Sequence, residues 1–260
     1  MSRKPVDVII VPTIRPRESV DFAVSLGDLI RADTLIIRDN TIAEARNKGL
    51  EAARACGWEH VMFLDDDIQI HQEQVMEAAG LLRHCQVAAF TAQYFPDNSV
   101  VRHAARAAGI PTPVFCSGGA MLVNMRTLPE GQHFPDIYNE DWFFMHGLEV
   151  GDPGNMTQLP YDPFVPGRAA REEFGDLIAE GIQGKPVIYD RGFWEAAIRE
   201  REEFLSSLHV EGAAAASVQE ACDVLAGITV TDVQKFLHTW QRDVLRLYSS
   251  NRQHDRFVSG

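Results

Sequence analysis

Apolar positions in the first hundred residues switch repeatedly between two periods. VDVIIVPTI (6–14) is a short β-branched run, and Phe22, Leu26, Leu29 and Ile30 then recur at helical spacing. TLIIRDN (34–40) is strand-like again. Thr41 and Glu44 read as a capping box that opens a helix running to about Ala55. EHVMFLDDD (59–67) is a third strand; Val75, Ala79 and Leu82 mark the next helix, and VAAFTAQYF (87–95) the strand after it. This β-α-β-α-β-α-β order predicts an α/β fold with a mostly parallel sheet covered by helices on both faces. Right-handed crossovers bring the C-terminal end of every such strand to one edge. Open α/β sheets bind ligands along that edge. Three polar clusters distant in sequence therefore meet there: Pro12 to Arg17, Asp39-Asn40 and Asp65 to Asp67.

The middle of the chain, about 96–165, is less regular. It carries Pro-rich turns, a small-residue loop at Cys116-Ser117-Gly118-Gly119, a strand at 120–125 and the segment Asn139-Glu140-Asp141-Trp142-Phe143-Phe144. Helical stretches follow at RAAREEFGDLIAEGI, FWEAAIREREEFLSSL and a last one through VQKFLHTWQRDVLRLY. The expected division is a sheet domain over 1–165 and a helical C-terminal extension over 166–260. In the last helix Val233, Phe236, Leu237, Trp240, Val244 and Leu247 form an apolar stripe. It packs either on the sheet domain or on a second subunit, which would make the protein a homo-oligomer.

Charge narrows the ligands. The 260 residues hold 24 Lys and Arg against 37 Asp and Glu, a net charge of −13. Such a surface repels nucleic acid and anionic membranes, so neither is an expected partner. An anionic ligand would need positive charge supplied locally, by a metal ion or a few arginines. The four cysteines include no C-x-x-C pair and read as free thiols in a reducing compartment. No apolar run approaches the ~20 residues that span a bilayer, and the one at Val8 to Val11 is too short for a signal-peptide core. The expectation is a cytoplasmic protein without integral membrane association.

The apolar run Val61 to Leu64 feeds straight into Asp65-Asp66-Asp67. Adjacent carboxylates repel, and more so near a buried strand. Either water solvates them as an acidic turn or a cation sits there. Familiar phosphate sites fit poorly: no Walker A loop is present, and the turn after the first strand, Val11 to Arg17, lacks the glycines of a dinucleotide fold. A magnesium phosphohydrolase would place its D-x-D after the first strand, not the third. A D-x-D site that holds a divalent cation for a nucleoside diphosphate fits better.

The ordered set P-T-x-R, I-I-R-D-N, A-R-N-K-G-L, F-L-D-D-D and E-D-W-F-F resembles the GT-A glycosyltransferases, in particular their family-2-like members, over about residues 6–150. The resemblance implies a GT-A, Rossmann-like fold and a metal-dependent transfer of sugar from a UDP- or GDP-sugar donor to a small soluble acceptor. It implies that Pro12, Thr13, Arg15 and Asp39 cradle the nucleotide base and that Arg46 lies near the donor. Asp65 or Asp66 would face the ribose, and Asp65 and Asp67 would hold Mn²⁺ or Mg²⁺. Asp141 would be the general base, with Glu140 beside it, giving inversion; retention is the alternative. Many members carry a C-terminal His as a further metal ligand. None of the nine histidines here stands clearly in that place, and Asp162 is the candidate substitute. Two rival functions stay open: a sugar-nucleotide nucleotidyltransferase, and a non-catalytic sugar-nucleotide-binding protein.

Overall fold

The computed structural model describes residues 4–13, 20–92, 99–112, 116–159 and 162–258, the last helix beyond 244 by its backbone alone. In chain order the elements are β1 (Val8–Thr13), α1 (Asp21–Ile30), β2 (Asp33–Arg38), α2 (Ile42–Cys56), β3 (His60–Leu64), β4 (Ile68–Gln69), α3 (Gln72–Leu81), β5 (Val87–Ala92) and α4 (Val100–Ala107). There follow β6 (Cys116–Asn124), α5 (Glu140–Met145), β7 (Val150–Gly151), β8 (Asn155–Gln158), α6 (Ala169–Ile182), α7 (Arg191–Ser207), α8 (Gly212–Ala226) and α9 (Val230–Val258). Contacts divide the chain into two compact units. One holds residues 1–96, 114–128 and 147–160, the other 97–113, 129–146 and 161–260.

The first unit is a mixed sheet in the order β2-β1-β3-β6-β5-β8-β4, with β7 paired to β5. β1 runs parallel to β2, with Thr13 opposite Arg38, and parallel to β3, with Ile10 opposite Phe63. β6 is antiparallel to both β3 and β5, so β5 runs the same way as the first three strands. The expected edge therefore exists: β1, β2, β3 and β5 all end on it. The reversed strand β6 begins there, with Ala120 opposite Leu64. Ser117-Gly118-Gly119, expected as a loop, is the first part of that strand. Small residues serve close packing here: a Cβ on Gly119 would lie 3.3 Å from Ile68 and Met156 side-chain atoms.

Burial on both faces explains the β-branched run of β1, where every residue is buried. Ile9 and Val11 join Met62, Leu64, Phe90 and Leu122 in one core. α1 turns a slightly different face inward than its large residues suggest. Ala23, Leu26, Gly27 and Ile30 are buried, whereas Phe22 is 36% and Leu29 60% exposed. α2 starts where the capping pattern places it, with the Glu44 amide donating to Thr41 Oγ1 (3.2 Å), and stops at left-handed Gly57 (φ 66°). Gly49 lets α2 lie directly on the sheet. A Cβ there would stand 2.8 Å from Ile10 Cγ2 and 3.1 Å from Phe63 Cε1.

The second unit is helical, with α4 to α9 (less the first unit's strands) around Phe143, Leu177, Ile178, Trp194, Leu205, Leu225 and Leu237. Its interior holds a charged cluster. Arg201 donates from Nε to Glu173 (2.9 Å), from Nη2 to Asp176 (2.8 Å) and from Nη1 to Glu180 (2.9 Å). Glu173 and Asp176 are fully buried. α8 had no counterpart in the periodicity, because its first turns are nearly all alanine and give little contrast between faces. Among the described residues no single helix is long and apolar enough to cross a membrane. α8 and the first half of α9 pass that test only as a pair bent by 82°, and both bury their apolar faces in this unit's own core. The four cysteines are free thiols.

Two expectations follow. Gly49→Ala forces its methyl group into Ile10 and Phe63, and chemical denaturation should show a loss of about 1–3 kcal/mol, the usual cost of overpacking. The second concerns two buried groups of the helical unit. Burial pushes Glu172 up from 4.5 to about 7 against the opposing pull of Arg168. Burial, with the charges of Arg168 and Arg106, pushes His103 down from 6.5 to about 4. The Glu172 contribution to stability is thus present below pH 4.5 and lost as pH rises through about 7. That of His103 is present above pH 6.5 and lost as pH falls through about 4. The two slopes oppose each other between pH 4.5 and 6.5. Glu172→Gln should leave stability rising with pH in that window, and His103→Gln should leave it falling, by up to ~1.4 kcal/mol per pH unit. Denaturation of both variants at three pH values checks this; slopes of the same sign would reject the assignments.

Candidate active site

The site starts from the end of β3. The chain turns at once, with the Ile68 amide donating to the Asp65 carbonyl (3.2 Å), so Asp66 and Asp67 occupy the corner. Two neighbouring strands fix the turn. The Asp65 amide donates to the Gly119 carbonyl (2.8 Å) at the start of β6, and the Leu159 amide donates to the Asp67 carbonyl (2.8 Å) just past β8. β4 continues the turn by pairing with β8, Ile68 opposite Gln158.

Asp65 is held by an arginine and Asp66 by a hydroxyl. Arg46 Nη2 donates to Asp65 Oδ1 (2.9 Å) and Oδ2 (3.1 Å), and also to the Gly118 carbonyl (3.1 Å). Thr13 Oγ1, at the end of β1, donates to Asp66 Oδ2 (2.5 Å). The repulsion within the triplet is therefore relieved one carboxylate at a time, by a guanidinium and a hydroxyl. Asp67 shares their turn and is half-buried. Arg46, expected at the exposed rim, is only 3% exposed, because α2 crosses above β1 and points it inward at the Asp65–Gly118 junction.

Asp39, just past β2, is paired with Lys48, and its Oδ1 accepts from the Asn40 amide (3.1 Å). The Lys48 ammonium holds the Asp39 carboxyl below its usual range. Lys48 is the residue that sequence reasoning missed, although it stands inside A-R-N-K-G-L. Positions two apart on a helix differ by about 200° in direction. Arg46 and Lys48 thus reach opposite flanks of α2, one toward the end of β3 and the other toward the end of β2. Pro12 and Thr13 close β1 along the same edge. Arg15 lies outside the described residues.

Glu140, Asp141 and Asp162 belong to the second unit. Glu140 and Asp141 form the first turn of α5, as the sequence placed them, after Asn139 in the left-handed region (φ 63°). Asp141 Oδ1 accepts from the Trp142 amide (3.0 Å). Phe143 and Phe144 are core residues. Phe143 packs edge-on against Trp240 (5.1 Å between ring centres) and Phe236 (5.3 Å), and Phe144 stacks on Phe134 (4.1 Å). Asp162 is exposed, and its Oδ1 accepts from the Phe164 amide (3.0 Å).

Among the described residues no three His, Cys, Asp or Glu side chains gather into a preformed metal shell. The acidic turn still suits a cation that arrives with its ligand. Mg²⁺ and Mn²⁺ sites of this kind use one or two carboxylates and fill the remaining positions with phosphate oxygens and water.

No protein-family model matches the chain, and no curated protein matches it. Solved structures are similar at low identity. The mannosyltransferase PcManGT from Pyrobaculum calidifontis, in complex with GDP-Man and Mn²⁺, is 15% identical over 96% of this chain and 89% of its own, with a TM-score of 0.43. TarS 1–349 of S. aureus is 14% identical over 95% and 91%, with a TM-score of 0.41. A glycosyltransferase involved in the glycosylation of the major capsid of PBCV-1 is 11% identical over 65% and 98%, with a TM-score of 0.36.

Arg46→Ala leaves the Asp65 carboxylate and the Gly118 carbonyl without this donor. Denaturation of the ligand-free variant should show a loss of about 1–3 kcal/mol. Wild-type stability in Arg46→Ala would break the assignment of Arg46 as the clamp of the turn.

Proposed function

We propose that the protein is a metal-dependent glycosyltransferase that moves a sugar from a UDP- or GDP-sugar to a small soluble acceptor with inversion. The observation that carries this reading is the acidic turn after β3, clamped by Arg46 and Thr13 on a sheet edge that also carries Asp39. A solvated surface turn has no need of a buried arginine, whereas a rigid turn is what a ligand site requires.

The edge then divides by role. Pro12, Thr13, Arg15 and Asp39 take the nucleotide base, and Asp65 or Asp66 faces the ribose. Asp67 is the principal metal ligand, with Asp65 and Asp162 as candidates for the remaining protein positions. Arg46 acts on the donor mainly by holding Asp65. The resemblance to family-2-like GT-A enzymes supports the same assignment. A bound Mn²⁺ or Mg²⁺ would neutralise the diphosphate and favour its departure. Its charge also suits a dianionic ligand to a protein of net charge −13. Asp141 accepts the acceptor's proton while the acceptor oxygen attacks the anomeric carbon and the bond to the diphosphate breaks, a single in-line displacement that inverts configuration. Glu140 stands beside it in a supporting role.

Calorimetry with UDP and GDP tests the metal. Removing Mn²⁺ with EDTA should weaken binding at least tenfold, or about 1.4 kcal/mol, and Asp67→Asn should lose the metal-dependent part. Asp141→Asn should keep nucleotide binding and cut transfer by roughly 10² to 10⁴, with Glu140→Gln doing less. Equal affinity with and without metal would remove the role given to Asp67, and a product of retained configuration would remove the one given to Asp141.

A further inference from the structure

We infer that Asn139 is a positioning residue for Asp141, acting through a hydrogen bond to the buried carboxylate of Asp176; this rests on the reading of Asp141 as general base. The argument begins with the length of α5. Six residues make one and a half turns, too few to be stable alone, so the order of its first turn depends on what holds its ends. The C-terminal half is held by Phe143 and Phe144 in the core. The N-terminal half, which carries Glu140 and Asp141, is held from Asn139.

Asn139 sits at φ 63° and ψ 33°. Glycine meets that conformation without penalty, and an amide side chain adds something glycine lacks. Asn139 Nδ2 donates to Asp176 Oδ1 (2.5 Å). The Asn139 carbonyl in turn accepts from the Trp142 amide (3.0 Å) and the Phe143 amide (3.4 Å), which starts α5. The direction in which Asp141 leaves the helix is thus set two residues after an anchored one.

The anchor itself is rigid. The other oxygen of Asp176, Oδ2, accepts from Arg201 Nη2 (2.8 Å), and the same guanidinium is held by Glu173 and Glu180 (both 2.9 Å). α6 and the chain before α5 also touch directly. A Cβ on Gly175 would stand 2.3 Å from the Tyr138 carbonyl oxygen, so no side chain separates α6 from the residue preceding Asn139. A buried ion cluster of α6 and α7 therefore reaches the start of α5 through the Asn139 side chain. Its removal leaves the fold's packing in place and loosens the aim of Asp141.

Asn139→Gly is the clean test, since it keeps the backbone conformation and deletes only the amide. The expected result is a kcat lowered about 10- to 100-fold, with the donor KM and the nucleotide affinity unchanged. Amide exchange at residues 140–142 should be faster; the variant should still fold, with a lowered denaturation midpoint because the buried Asp176 carboxylate loses a donor. Asn139→Asp, which opposes two carboxylates, should be worse, and Asn139→Asp with Asp176→Asn should recover activity by restoring a donor–acceptor pair. Asp141→Asn is measured alongside. If it is inactive while Asn139→Gly turns over at the wild-type rate, the positioning role falls and the general base stands. If Asp141→Asn is fully active, both fall. Loss of nucleotide affinity or of the folded state in Asn139→Gly would reduce Asn139 to a structural part and overturn the proposal.

Discussion

A single nitrogen, Nη2 of Arg46, serves both oxygens of Asp65 and the carbonyl of Gly118. It ties together three elements distant along the chain: the N-terminal half of α2, the end of β3 and the start of β6. Two like charges follow Asp65 at once, and the chain must reverse within two residues to form β4. A buried guanidinium offsets one charge and takes up a strand-end carbonyl, so the turn keeps its geometry despite the repulsion inside it. Without it the half-buried Asp65 carboxylate at the end of β3 would lose its guanidinium partner, which is costly.

The helical unit repeats the solution at larger scale. Arg201 uses every guanidinium nitrogen on a different carboxylate, Arg102 extends the network through Glu180, and Arg168 pairs separately with buried Glu172. In a chain with thirteen more acidic than basic charges, the buried carboxylates Glu172, Glu173 and Asp176 are each paired with a buried or largely buried arginine. Many of the exposed acids face water, where such pairs contribute little. The contrast with Lys48, which is 59% exposed at its pair with Asp39, follows the chemistry of the two groups: the ammonium stays hydrated, and the guanidinium is the better buried partner.

Much of the sheet edge was legible because its signal is local. Short apolar runs marked β1 to β3 and β5, and Thr41 with Glu44 marked the start of α2. Chain alternation then placed Thr13, Asp39 and Asp65 to Asp67 together. What was hidden depends on register and burial. A run of Cys, Ser and two glycines looks like a loop until Ile68 and Met156 occupy the space its side chains would fill. The buried state of Arg46 has no sequence mark, since A-R-N-K-G-L places Arg46 and Lys48 alike on a helix. The partners of Arg201 lie 21 to 28 residues away along the chain, a separation at which charge patterning says nothing.

The place of Gly49 has a mechanical consequence. With no side chain between them, α2 rests on Ile10 and Phe63 as a bar on its bearing, and it carries Arg46 on one flank and Lys48 on the other. The end of β2 and the end of β3 are therefore held from the two flanks of one helix seated directly on the sheet.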